Sequence, residues 1–175
     1  MQRKDKKISN DKMIRKVTLE DTRAIAGIYN HYIEHTTATF ELEPVSEEEM
    51  RRRILSISAR YPYFVEETDG RITGYCYAHT WKEKAAYNRT LESTVYVAPG
   101  EERKGIGTRL MNRLITASRE AGIHSLIACI TADNRPSILM HERLGFVQVS
   151  HFKEAGFKFG KWLGIVDLQL LLTAL

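Results

Sequence analysis

Cysteine is scarce in this 175-residue chain. There are two, Cys76 and Cys129, each inside an apolar run. That excludes a disulfide-stapled scaffold and predicts reduced, buried thiols. No apolar stretch is long enough to span a bilayer. The start, Met1–Lys7, lacks the apolar centre of a secretory signal, so a cytoplasmic address is expected. Positive charge is modest at +4, and seven Lys or Arg fall within the first sixteen residues. That speaks against a broad nucleic-acid face but leaves room for a small anion site. No internal repeat is evident. Residues 1–12 have too few apolar groups to offset their ordering entropy and read as a disordered arm. A single domain is expected over 13–175.

What is present alternates between strand and helix periodicities. Met13–Val17 reads as a strand. Thr18 and Asp21 resemble a capping box before a helix carrying Ile25, Ile28, Tyr29 and Tyr32. Ser46 and Glu49 predict a second box and helix. Tyr63–Glu67 and Arg71–Trp81 read as a hairpin around Asp69-Gly70. Leu91–Val97 is a strand and Gly107–Ala121 a helix stopped by Gly122. Ser125–Ile130 is a short buried strand. Asn134 caps a fourth helix ending at Gly145. Phe146–Lys153 and Trp162–Leu172 close the chain as two strands. The order β-α-α-β-β-β-α-β-α-β-β gives a mixed α/β sheet.

Arg103-Lys104-Gly105-Ile106-Gly107-Thr108 lies between a strand and a helix start. Unpaired N–H groups and the helix dipole converge there, and two glycines allow close approach of a phosphate. A P-loop would need Gly-Lys-Ser or Gly-Lys-Thr, but Gly107 is followed by Thr108-Arg109. A Rossmann turn would need a third glycine at position 110, which is Leu.

The turn resembles the acetyl-CoA pyrophosphate loop of the GNAT superfamily, Gln/Arg-x-x-Gly-x-Gly/Ala. Gly105 and Gly107 match, whereas Glu102 stands where that family carries Gln or Arg. Asn134, Ser137 and His141, followed by Leu144-Gly145-Phe146, resemble the family's later motif, in which Asn and a small polar residue touch the pantetheine arm. Thr37–Phe40 with Glu43-Pro44, Arg60-Tyr61-Pro62, Trp81-Lys82 with Ala86-Tyr87, Glu92–Val97 and Ala155–Lys158 resemble the phosphinothricin and methionine sulfoximine acetyltransferase branch. The resemblance covers roughly residues 13–171.

It implies a GNAT fold, a mixed and mostly antiparallel sheet flanked by helices. It also implies an acetyl-CoA-dependent N-acetyltransferase that needs no metal, acts on a small-molecule amine and forms a homodimer. Val95, Tyr96, Val97, Arg103, Lys104, Gly105, Ile106, Gly107, Thr108, Asn134 and Ser137 are then the cofactor side. Phe40, Trp81, Lys82, Tyr87, Arg89, Ser93 and Thr94 are the acceptor side, with Lys82 or Arg89 pairing with an α-carboxylate. Glu92 is the candidate base, because burial in an apolar strand raises a carboxyl toward a useful range. His141 is a second candidate, as base or acid. A bulge near Val95 is expected to present an N–H to the thioester carbonyl. The acceptor class stays open between an amino acid, a protein N-terminus and a polyamine, and a decayed acyl-CoA-binding module is the non-enzymatic alternative.

Overall fold

A computed structural model describes residues 12–172. Residues 1–11, most of the expected arm, lie outside the described residues, and Lys12 already opens the first strand. The elements run β1 (Lys12–Lys16), α1 (Thr22–His35), α2 (Glu47–Ser58), β2 (Tyr63–Thr68), β3 (Arg71–Thr80), β4 (Thr90–Val97), α3 (Ile106–Glu120), β5 (Ser125–Thr131), α4 (Arg135–Arg143), β6 (Val147–Gln148), β7 (Phe152–Lys158) and β8 (Lys161–Leu171). The strand expected over Phe146–Lys153 is two strands, because β6 and β7 pair with different stretches of β8.

Local signals set several boundaries. Asp69 (φ 51°) and Gly70 (φ 77°) close the β2–β3 hairpin, as the left-handed turn between twisted strands requires. The Thr18–Asp21 box forms, with Thr18 N donating to Asp21 Oδ2 at 2.8 Å, before a short 3₁₀ turn at Leu19–Asp21. The second box is half made. Ser46 Oγ accepts from Glu49 N at 3.1 Å, but the Glu49 carboxylate turns to Arg52 and Arg53 instead. Two arginines outcompete one backbone N–H for a carboxylate.

The strands form one open sheet in the order β1-β2-β3-β4-β5-β8-β6, with β7 on the other part of β8. All pairs are antiparallel except β4 with β5. This is the mixed, mostly antiparallel α/β sheet expected. Alternation along the strands divides the core in two. On one face Leu91, Leu126, Ala128, Val166 and Leu168 pack with Leu110, Met111 and Leu114 of α3 and Ile138 of α4. On the other, Tyr63, Val65 and Tyr75 pack with Ile25, Ile28 and Ile33 of α1 and Met50 and Ile54 of α2.

The parallel pair positions the site. β4 and β5 pair only at Thr90–Glu92 with Ser125–Ile127, and then diverge. β4 continues to Val97 along β3 and β5 to Thr131 along β8, leaving a wedge between them.

Candidate active site

The wedge opens into a cavity of about 1000 Å³, the upper end of the size that ligand clefts reach. One end lies toward α3 and α4, lined by Arg103, Gly105, Ile106, Gly107, Thr108, Asn134, Ser137 and His141. The other lies on the α1 side, lined by Tyr29, Thr39, Phe40, Tyr77, His79, Glu92, Thr94 and Cys129.

The α3 end is built from backbone. Gly105 is the N-cap of α3 at φ 78°, ψ 7°, and Arg103 is also left-handed at φ 62°. The first N–H groups of α3 have no carbonyl a turn earlier to bond, so they face the cleft with the positive helix end behind them. Arg109 braces the turn. Its Nη1 donates to Lys104 O at 3.0 Å, while its Nε and Nη2 grip Glu66, a carboxylate only 1% exposed, at 3.0 and 2.6 Å. Gly107 has a packing role as well: a Cβ there would sit 2.9 Å from Met140 Sδ, so α3 and α4 meet closely at the cleft. Lys104 is not on the cavity wall; its Nζ is held by Glu101 at 2.8 Å. The acidic Glu102 folds back, and its Oε2 accepts from Gly100 N at 2.9 Å. That bond gives the carboxylate a partner other than the ligand.

Backbone parity along β4 decides what the wedge offers. Ala98 N donates to Thr73 O, toward β3. Counting back, Tyr96 and Thr94 also direct their polar groups to β3, so Val95 and Val97 direct theirs into the wedge. Val97 O confirms the parity by accepting from Tyr32 Oη at 2.8 Å. The N–H of Val95 is therefore free to face a carbonyl. The expected bulge is absent, since β4 runs in unbroken register with β3 from Leu91 to Val97. The early end of β4–β5 pairing exposes the N–H instead.

The α1 end is built from side chains on several strands. Glu92 pairs across the sheet with His79 of β3, Nε2 to Oε1 3.9 Å, each side chain about one-third exposed (33% and 30%). Burial raises the Glu92 carboxyl above its ordinary value, and the negative charge of Asp167 adds to this while His79 opposes it. Cys129 was expected to be buried, yet it is exposed on the cavity wall. Its neighbours Ala128 and Ile130 take the core face of β5, so alternation turns Cys129 to the face that no helix covers there. Although the residue is exposed, partial desolvation of its sulfur and the charges of Asp167 and Glu92 push the thiol up to about 12, which makes a poor nucleophile. Cys76 is buried as expected.

Other expected residues separate. Phe40 and Thr94 line the cavity, and so does Ser93, although its hydroxyl is committed to Ile127 O at 3.2 Å. Trp81, Lys82, Tyr87 and Arg89 do not line it. Trp81 and Tyr87 stack edge to face at 5.3 Å, and Lys82 Nζ sits 4.2 Å above the Trp81 ring. The β3–β4 connection packs on itself, so neither Lys82 nor Arg89 reaches the cavity as an anchor for an acceptor carboxylate. Tyr77, His79 and Asp167 carry no expectation from sequence, and Tyr29 carries one only as a helix residue. The signal available was the two-residue period shared by Tyr75, Tyr77 and His79, which aligns them opposite Tyr96, Thr94 and Glu92.

His141 is 3% exposed, and its Nδ1 lies 2.8 Å from Ser137 O, so the ring donates there. Burial lowers its pKa, leaving a neutral ring whose Nε2 bears a lone pair. In that form Nε2 accepts rather than donates, which is the form the expected base role uses. Asn134, expected on the pantetheine side, caps α4 by accepting through Oδ1 from Ser137 N at 3.3 Å.

The cleft is thus an open sheet split by a wedge, with a helix N-terminus at one end and a carboxylate at the other. The Acetyltransferase (GNAT) domain family matches residues 14–165, and the chain belongs to that family of acetyltransferases. Among its relatives, phosphinothricin N-acetyltransferase of Streptomyces viridochromogenes is 38% identical over 85% of this chain and 81% of that protein. The L-methionine sulfoximine/L-methionine sulfone acetyltransferase of Salmonella typhimurium is 36% identical over 87% and 90%. The crystal structure of a phosphinothricin acetyltransferase from Sinorhizobium meliloti in complex with acetyl-CoA superimposes with a TM-score of 0.89 at 33% identity, covering 91% of this chain and 88% of that one. The chain is thus a GNAT acetyltransferase related to the phosphinothricin and methionine sulfoximine enzymes.

Proposed function

We propose that this enzyme moves the acetyl group of acetyl-CoA directly to the α-amino group of a small amino acid, such as methionine sulfoximine or phosphinothricin. The observation that carries this reading is the position of Glu92, a half-buried carboxylate at the α1 end of the cavity, where β4 and β5 part.

The α3 turn, Arg103 and the N–H groups of Gly105–Thr108 fit a diphosphate. The wedge edge, with Val95 and Val97, fits the amides of a pantetheine arm. Acetyl-CoA supplies an activated thioester. Glu92 accepts a proton from the acceptor ammonium and frees its lone pair. The Val95 N–H faces the carbonyl oxygen, where negative charge grows as the amine attacks. The raised thiol of Cys129 makes an acetyl-cysteine relay unfavourable and supports direct transfer in a ternary complex. His141 Nε2 serves as a hydrogen-bond acceptor on the cofactor side.

Phe157, Phe159 and Trp162 are more than half exposed on the β7–β8 hairpin. That patch supports a homodimer, to be checked by light scattering. An amino-acid panel assayed by thiol release tests the acceptor class, and intersecting initial-rate lines test the ternary complex. Turnover only on polyamines or protein N-termini would overturn the amino-acid reading.

A further inference from the structure

His79 has no part in the reading above, yet it is the side chain placed against the proposed base. The two residues are direct partners in the β3–β4 ladder, so the sheet itself sets their pairing. The His79 Nδ1 lies 3.0 Å from Thr80 O, which can only accept, so Nδ1 carries the hydrogen and Nε2 is left to face Glu92. The Nε2–Oε1 separation of 3.9 Å is one side-chain adjustment from a hydrogen bond, a looseness common before substrate binds. Both side chains line the cavity.

We propose that His79 is the proton exit of the acetyl-transfer site, taking from Glu92 Oε1 the proton removed from the acceptor and releasing it to solvent. This rests on Glu92 being the base. The proton balance requires such an exit. The acceptor enters as an ammonium and leaves as an amide, so two N–H protons are lost; one ends on the CoA thiol and one must leave the site. Glu92 takes that second proton and, once protonated, cannot serve another turnover until it passes the proton on. Nε2 accepts it, the imidazolium forms, and the exposed edge of the ring delivers it to water. The remaining titratable groups facing the pair are Tyr77 on β3, Cys129 on β5 and Asp167 on β8. The phenol and the thiol are held neutral by burial, and Asp167 bears negative charge that disfavours ionised Glu92. His79 is the only group of the set that can both relieve that repulsion and carry a proton.

The test compares wild type, His79→Ala, His79→Gln and Glu92→Gln with acetyl-CoA and L-methionine sulfoximine across pH. His79→Ala and His79→Gln are both expected to lose kcat by roughly tenfold, less than the full loss of a positioned base, with the KM for acetyl-CoA unchanged. Free imidazole is expected to restore the rate of His79→Ala and not that of Glu92→Gln. The carboxyl titration of Glu92, followed by carbon NMR without any acceptor, is expected to move to higher pH in His79→Ala, because a His79 ring that has taken up a proton holds the carboxyl down. A His79→Gln enzyme with wild-type rate, or a Glu92 titration unmoved in His79→Ala, overturns the relay. A fully active Glu92→Gln overturns the base itself, and the relay with it. An inactive Glu92→Gln beside a wild-type-like His79→Gln removes the relay alone.

Discussion

The two ends of the cleft are made of different material. At the α3 end the chemistry is in the backbone: the left-handed Gly105, the first N–H groups of α3 and the wedge-facing Val95. At the α1 end it is in side chains drawn from different strands, with Glu92 on β4, His79 on β3, Cys129 on β5 and Asp167 on β8. A backbone site depends on conformation and tolerates most side-chain changes. A side-chain site depends on identity and tolerates few. On the proposed reading, the end that would hold the common donor is conformational, and the end that would choose the acceptor is compositional.

The strongest challenge to that contrast is Glu92→Gln, which preserves shape and removes the proposed base. The expected loss in kcat is about 10²–10⁴-fold, with acetyl-CoA affinity retained in calorimetry. The pH profile should agree in sign. As the proposed base, Glu92 works as the carboxylate and its pKa is raised by burial, so activity should fall as pH drops through a midpoint above the ordinary value for Glu.

At the other end, Arg109→Met removes the brace under the turn and strands the buried Glu66 carboxylate. A stability loss of about 3 kcal/mol is expected by thermal or urea unfolding, together with a higher KM for acetyl-CoA. Restored stability in Arg109→Met/Glu66→Leu, without restored KM, would separate the ion pair from the Lys104 carbonyl contact. Gly105→Ala should cost about 1–2 kcal/mol through its positive φ. It should weaken acetyl-CoA binding while leaving acceptor preference unchanged in the panel. A change in preference would break the division between the two ends.

The smallest effect is expected of Glu102→Gln. A glutamine carbonyl can still accept from Gly100 N, so the fold should hold. Removing one negative charge beside the diphosphate turn should tighten acetyl-CoA binding slightly or leave it unchanged in calorimetry.

The same division explains what could be read from sequence. Gly105, Gly107, Asn134 and Gly145 have local causes, a turn or a cap, and local causes are written in adjacent residues. The Asp69-Gly70 turn is legible for the same reason. His79, Cys129 and Asp167 meet only through strand register, and nothing near any of them in sequence says which strand lies opposite. Cys129 misleads for a further reason. It sits in a run, Leu126–Ile130, that looks wholly buried, whereas alternation sends it to the one face left open by the wedge. Lys82 and Arg89 carry the right charge for a carboxylate, but the stacking of Trp81 on Tyr87 turns their loop back on itself.

The short pairing of β4 with β5 has one more consequence. A sheet whose two central strands share only three register pairs is a structure with a seam. A donor lying in that seam would bond to Val95 and Val97 as a neighbouring strand does, and so would complete the fold as well as feed the reaction. Its binding free energy then adds to folding by mass action, about 2.7 kcal/mol at a hundredfold excess over Kd. Cellular acetyl-CoA would in that way set how long each molecule survives heat and proteases, and the protein would be most fragile when acetyl donors are scarce.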